Sequence, residues 1–262
     1  MTTKLITSPA AAPVSLQEAK AHLRVDNTAD DALILAMVAA ATSDAEHRLG
    51  RALVQQTWEQ VQDGFDDDID LPNPPLVSVT SLKYIDTDGT EQTLSTSLYS
   101  VDGDSEPARI LPAYGASWPG TRSVPSAVRA RYVAGYAATF AISAITKAAA
   151  AVVTIGAHTL PVGQGVHFTG VLGMTEINGL YATITAAGAT DITVGINSTA
   201  FTAYTAGGTC AVDSVPAPIK SWILLRLAAL YENRESVLIG QAMQAAPRDF
   251  ADGLLDRYKI YA

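Results

Sequence analysis

The sequence predicts an α+β chain: a helical core drawn from both ends, a β-rich middle region, and an inserted all-β module built as a small barrel or sandwich. Three observations predict it. Apolar residues at spacings of three and four follow a helix start near residue 15 and recur after residue 216. The apolar period changes to two from Thr57 onward. Between residues 139 and 215 only Lys147, Glu176, Asp191 and Asp213 are charged, in a chain that is otherwise normally charged. The expected division is a host of 1–138 and 216–262, interrupted by an insert of 139–215.

Each element has a local reason. Ser15-Leu-Gln-Glu18 is a capping box, in which hydroxyl and carboxylate satisfy each other's backbone N–H, so a helix starts at Leu16 and runs through Ala19 and Leu23. Residues 26–30 have turn composition and cap a second helix. In that helix Leu33, Met37, Ala41 and Ala45 form the expected stripe, widened by Ile34 and Val38, and Gly50 is its stop. Strands are expected at 57–61, 69–71, 77–85, 90–94, 99–101, 109–111 and 128–133, with Asp88-Gly89 as a hairpin turn. After the insert, Pro216 and Pro218 suit the first turn of a helix whose stripe is Ile219, Trp222, Ile223, Leu227, Leu230 and Tyr231. Phe250, Leu254, Leu255 and Tyr258 then recur at helical spacing in a terminal amphipathic segment with no evident core partner. In the insert, strands are expected at 152–155, 166–169, 181–185, 191–194 and 209–212, with turns at 161–165, Asn178-Gly179 and Gly207-Gly208.

Composition narrows the function. A net charge of -9 argues against a protein that grips nucleic acid through its phosphates, which requires a concentrated Lys/Arg surface. Cys210 is the only cysteine, so an intrachain disulfide and a cysteine metal cluster are both excluded. No apolar run reaches membrane-spanning length, and the N-terminus lacks a secretory pattern.

Candidate chemistry is sparse. Asp66, Asp67, Asp68 and Asp70 lack the glycine and distal glutamate of a calcium loop and read as a solvated loop. His158 and His167 could approach within the insert, but one pair lacks the further ligands of a zinc site. Arg122, Arg129 and Arg131 read as the charged outer face of a strand, ahead of a partner-binding patch. No nucleophile elbow, phosphate loop or dinucleotide fingerprint occurs. No catalytic residue, cofactor or metal is expected.

With the insert set aside, Val14-Ser15-Leu16-Gln-Glu18-Ala19-Lys20-Ala-His22-Leu23-Arg24-Val25-Asp26, Asp30-Asp31-Ala-Leu33-Ile34 and Arg51-Ala-Leu53-Val54-Gln55-Gln56-Thr57-Trp58 resemble the tailed-phage head-tail connectors of the gp6-like adaptor family. Leu71-Pro72-Asn-Pro74-Pro75, Tyr84-Ile-Asp86-Thr-Asp88-Gly89, Tyr99-Ser-Val101, Trp118-Pro119, Tyr132-Val-Ala-Gly135-Tyr136 and Pro218-Ile-Lys-Ser-Trp222 continue in the order of its longer, β-containing members. In the insert, Leu160-Pro-Val-Gly163, Gly170-Val-Leu-Gly173-Met174-Thr-Glu176-Ile-Asn178-Gly179 and Tyr204-Thr-Ala-Gly207-Gly208-Thr209 are similar to a β module of phage structural proteins that is sometimes labelled after a domain of ubiquitin-activating enzymes.

The resemblance implies a non-enzymatic virion protein of the neck, assembled in the bacterial host cytoplasm. It implies a homo-oligomeric ring of roughly twelve subunits under the portal protein, joining the head to a stopper or tail-completion protein while genomic DNA passes without specific binding. Portal docking would fall to Phe250, Leu254, Leu255, Tyr258 and Tyr261 of the C-terminal segment. The alternative is a decoration or binding module, in which the insert recognises glycan or another capsid or tail protein through Phe168, Tyr181, Phe201 and Tyr204. In either case the insert is expected to stand apart from the ring's central wall.

Overall fold

The computed structural model describes residues 1–9, 12–136, 139–212, 214–233 and 251–260. The chain is α+β. It forms two compact units: residues 1–10, 46–136 and 258–262 make the first, and residues 11–45 and 137–257 the second.

The first unit is built on two antiparallel sheets. One carries β1 (Thr2–Thr7), β2 (Gln56–Gln62), β8 (Val128–Ala134), β4 (Leu76–Ile85) and β5 (Glu91–Thr93) in the order β1-β2-β8-β4-β5. The other carries β3 (Ile69–Leu71), β7 (Ala108–Pro112) and β6 (Tyr99–Asp102) in the order β3-β7-β6. Alternation along β8 turns Val128, Ala130, Tyr132 and Ala134 into a shared core with Leu82, Ile69, Leu71, Ala108 and Ile110, while Arg129 and Arg131 face out. That is the outer-face reading of the basic strand, and Arg131 pairs there with Glu59 at 2.9 Å.

Strand β1 was not anticipated. Its Thr-Thr-Lys-Leu-Ile-Thr run has β composition but only one strand neighbour and an exposed pattern, so no apolar alternation announces it. The Asp88-Gly89 turn forms as expected, with Asp86 Oδ1 accepting from the N–H groups of Asp88 and Thr90 at 3.0 and 2.9 Å.

In the second unit, α1 (Leu16–Leu23) starts at the expected box: the Glu18 N–H donates to Ser15 Oγ at 3.0 Å and the Ser15 N–H to Glu18 Oε2 at 3.0 Å. Helix α2 (Asp31–Leu49) stops at Gly50, whose φ of 65° suits a residue without Cβ. Its buried stripe is Ile34, Val38, Ala41, Ala45 and Leu49, so the expected stripe is rotated: Leu33 lies at the edge, 36% exposed, and Met37 is half-buried. The reason is that residues 32–43 carry no charge on any face, so periodicity alone could not fix which side turns inward. Helix α3 (Ala217–Glu232) buries Ile219, Trp222, Ile223 and Leu227 as expected. Polar side chains tie these helices together: Lys220 to Glu18 at 2.6 Å, Lys20 to Asp31 at 2.7 Å, and the Tyr231 hydroxyl donating to Asp30 at 2.6 Å.

The same unit holds seven strands: β9 (Thr139–Ala141), β10 (Ala144–Ile145), β11 (Ala151–Thr154), β12 (Gly165–Thr169), β13 (Tyr181–Ala187), β14 (Asp191–Val194) and β15 (Thr209–Val212). Their order, β10-β11-β14-β13-β12-β15-β9, begins and ends on strands separated by only Ile142 and Ser143. The Ile142 N–H donates to Gly208 and the Ser143 N–H to Thr154, so one bent segment pairs with β15 on one side and β11 on the other. The sheet is thereby closed, which selects the barrel over the sandwich and leaves no long open edge. Val153, Val166, Phe168, Met174, Ile177, Ile184, Ile192, Val194 and Cys210 fill it. Among the described residues, none of its strands joins a sheet of the first unit.

Gly135 tests the first unit. Its φ is 133°, and a Cβ there would lie 2.6 Å from the Gln55 backbone nitrogen. Gly135→Ala is expected to lose about 2–4 kcal/mol of stability in urea unfolding. Gly115→Ala, where φ is 77° but nothing lies within 4 Å, should cost only about 1 kcal/mol for the left-handed backbone.

Candidate assembly surfaces and the junction that supports them

Three of the stretches that carry the family resemblance, Arg51-Ala52, Pro72–Pro75 and Tyr132–Tyr136, meet at one junction within the first unit. Arg51 bridges Asn73 in parallel, the Ala52 N–H donates to the Pro74 carbonyl at 3.2 Å, and the Gly135 N–H to the Pro75 carbonyl at 2.9 Å. Tyr132, fully buried, donates its hydroxyl to the Pro72 carbonyl at 2.8 Å, and burial pushes its phenol upward. The Arg51 guanidinium is enclosed. Its Nη1 donates to Glu106 Oε1 at 2.7 Å, Nη2 to Glu106 Oε2 and Nε to the Tyr258 carbonyl, while Cζ lies 6.0 Å from the centre of the Tyr136 ring. The Ile260 N–H donates to the Leu49 carbonyl at 2.9 Å, which seats the C-terminal residues beside the end of α2.

Two carboxylates there shift in opposite directions. The fork of Arg51 hydrogen bonds holds Glu106 below the usual carboxylate range. Burial raises Glu46, against the two donors it accepts from, the Leu53 N–H at 2.9 Å and the Gln56 amide at 2.7 Å.

Of the portal-docking candidates, Tyr258 belongs to this junction. Leu255 is buried, Leu254 and Tyr258 are half-buried, and Tyr258 offers its carbonyl to Arg51. Nearby in sequence, Asp252 accepts from the Trp222 indole N–H at 3.2 Å. The segment therefore has partners in its own chain where the sequence offered no evident one: Leu255 of the expected stripe is buried, and Asp252, outside that stripe, is tied to Trp222. Phe250 and Tyr261 lie outside the described residues.

The insert candidates are not one surface. Phe168 has no exposure and sits inside the barrel, because alternation on β12 turns Val166 and Phe168 inward and His167 out; it is withdrawn as a contact residue. Tyr181, Phe201 and Tyr204 are half-buried. The Tyr204 hydroxyl lies 2.9 Å from the Ile142 carbonyl and 3.1 Å from that of Gly207, so it fastens the closing segment of the barrel.

His158 and His167 do not meet as a pair. His158 Nδ1 accepts from the Leu160 N–H at 3.2 Å, which leaves Nε2–H to donate to the Asp191 carbonyl at 3.2 Å, whereas the His167 ring rests 5.0 Å from Tyr181. Asp68 pairs with Arg109 at 3.4 Å, and Arg109 with Asp102 at 2.9 Å, so part of the acidic loop is anchored across β3, β7 and β6. Among the described residues, no three His, Cys, Asp or Glu are placed to hold an ion. Cys210 is fully buried, and its thiol is pushed up to about 12, so it is protonated at neutral pH and shielded from any electrophile.

The model of the phage gp6-like head-tail connector protein family matches residues 13–106, a little over a third of the chain. The model of the ubiquitin-activating enzyme E1 FCCH domain matches residues 148–212, within the closed barrel. No curated protein matches the chain. Among solved structures, it is similar to a chain in the virion of a native gene transfer agent (GTA) particle and to one in the neck of the native GTA particle computed with C12 symmetry. Each is 17% identical, with a TM-score of 0.58 over 100% of this chain and 97% of that one. A chain in the neck of the empty GTA particle computed with C6 symmetry is 18% identical, with the same score and coverage. At these identities the shared property is the fold, which runs the full length of both chains, barrel included.

Arg51→Met is expected to cost about 2 kcal/mol, less than for a wholly enclosed pair because the Glu106 side chain is 41% exposed. Glu106→Gln isolates the titration. A depressed carboxylate stabilises fully above its unfolded value near 4.5, and the contribution disappears as pH falls through the lower folded value. The stability gap between wild type and Glu106→Gln should therefore be constant at neutral pH and close in acid, as followed by chemical denaturation across pH.

Proposed function

We propose that this chain is a structural subunit of the neck of a tailed-phage or gene-transfer-agent-like particle, where copies form a ring beneath the portal. The observation that carries the reading is that the gp6-like residues build the frame of a fold shared end to end with a chain in a neck computed with C12 symmetry. The ring, of twelve copies in this reading, joins the head to a stopper or tail component, and its role is mechanical rather than enzymatic. Net charge supports the passage of DNA: at -9 per copy, a lumen poor in cations repels phosphate and does not retain the genome.

Within this reading residues 1–138 and 216–262 are the connector host and 139–215 an accessory barrel. Among the described residues the closed barrel shares no strand with the host sheets, which supports that division, although the host helices α1 and α3 and most of α2 fall in the same compact unit as the barrel. Contact with the portal falls to the C-terminal segment, through the exposed sides of Leu254 and Tyr258 together with Phe250 and Tyr261. Should the barrel bind glycan or another virion protein, Tyr181 and Phe201 are its aromatic contacts.

Two truncations test this. Co-purification with the portal protein is expected to be retained by the full chain and lost when residues 248–262 are removed; equal retention by both would refute the C-terminal assignment. Deleting 139–215 is expected to leave neck assembly intact, and loss of adsorption or decoration in those particles would give the barrel a binding role.

A further inference from the structure

A ring of identical copies joined head to tail needs two different, complementary surfaces on each copy. In a chain of net charge -9, those surfaces must also meet without stripping water from unpaired carboxylates. Two features satisfy both conditions, and neither has a role in the junction or the barrel.

The first is a knob. Between β7 and β8 the chain runs without a charge from Ile110 to Thr121. A turn closed by the Ala116 N–H donating to the Ala113 carbonyl at 2.8 Å, with Gly115 at φ 77°, lifts Tyr114 to 108% exposure. Among the large apolar side chains exposed in the described residues, it is the only aromatic. A fully hydrated tyrosine at a loop tip has nothing to gain in the isolated chain and the most to gain at an interface.

The second is a hole. Helices α2 and α3 leave a groove of about 380 Å³ lined by Leu33, Ala36, Met37, Ala40, Leu230 and Asn233. Its walls are small or apolar, it lies along the uncharged face of α2, and Leu35 and Leu225 are exposed on these same helices at 48% and 39%. Asn233, the one polar side chain of the lining, donates its amide N–H to the Ala229 carbonyl at 3.0 Å.

We infer that Tyr114 of one copy inserts into the α2–α3 groove of the next, making the subunit contact of the ring. This rests on the ring reading above. It deepens that reading by naming the surfaces: an uncharged aromatic tip enters an uncharged groove, so each copy offers one knob and one hole and the contact propagates until the ring closes.

The test uses the full chain in two forms with one added cysteine each, Tyr114→Cys and Met37→Cys, since the native Cys210 is buried in the barrel and does not compete. Mild oxidation of the mixture should give a covalent dimer on denaturing gels, each variant alone should give none, and the double variant should give a ladder. In parallel, Tyr114→Ala should keep the wild-type melting temperature while raising the concentration for half-assembly about tenfold or more, as loss of an interface anchor does. If wild type forms rings but the mixed pair does not cross-link, or Tyr114→Ala assembles like wild type, the contact lies elsewhere and the ring reading stands. Dimers of Tyr114→Cys alone would indicate a twofold contact, and an intrachain bond in the double variant would mean the groove takes its own loop; either overturns the inference. Wild type that stays monomeric at every concentration overturns both readings.

Discussion

Arg51 is the constraint on which the first unit depends. It stands immediately after the glycine that ends α2, and its buried guanidinium gathers three separate stretches of chain: Glu106, the Tyr258 carbonyl and the Tyr136 ring. Its backbone bridges Asn73, and the flanking Ala52 reaches the Pro74 carbonyl. A guanidinium suits this place because its planar fork satisfies a carboxylate with two donors and still has Nε for a carbonyl. A lysine could supply the charge but not three directed donors. The surrounding polar groups follow from that demand: Tyr132 buries its hydroxyl only because the Pro72 carbonyl is within reach, and Gly135 is needed where its strand passes against the Val54–Gln55 backbone.

The barrel solves a different problem. It has too few charged residues to stabilise itself by ion pairs, so closure through the bent 139–145 segment satisfies the sheet edges with backbone hydrogen bonds alone. Ser198 shows the same economy: fully buried, it exchanges hydrogen bonds with the Ala148 N–H and the Thr146 carbonyl, holding one end of β11 without any charge. The barrel core contains Cys210 as a small apolar residue, and the physical setting of that thiol explains why similarity to a domain of an activating enzyme brings no thiol chemistry with it.

Much of the local structure was legible because local rules decide it. The capping box at Ser15, the stop at Gly50, the Asp88-Gly89 turn and the helix after Pro216 all depend on residues close in sequence, and each formed where expected. What was hidden depends on long-range pairing. The stripe of α2 could not be oriented because residues 32–43 carry no charge on any face. Strand β1 has a single neighbour some 55 residues away, and barrel closure joins strands at opposite ends of the insert. The junction was visible only as family motifs: Arg51, Pro74 and Gly135 could be recognised in order, but their convergence could not be derived from spacing. Phe168 was misplaced outward because an aromatic in a β module has two faces to choose from, and its pairing with the buried Cys210 on β15 settles which is inside.

The central claim is that a self-bracing α+β frame with an accessory barrel acts as a ring subunit at the neck. Direct imaging of the neck in particles carrying this chain tests it most plainly. The account predicts a closed cyclic ring of copies of this chain immediately beneath the portal, with a continuous lumen for DNA. Particles whose neck lacks the chain, or holds it as isolated copies that do not close a ring, would contradict it.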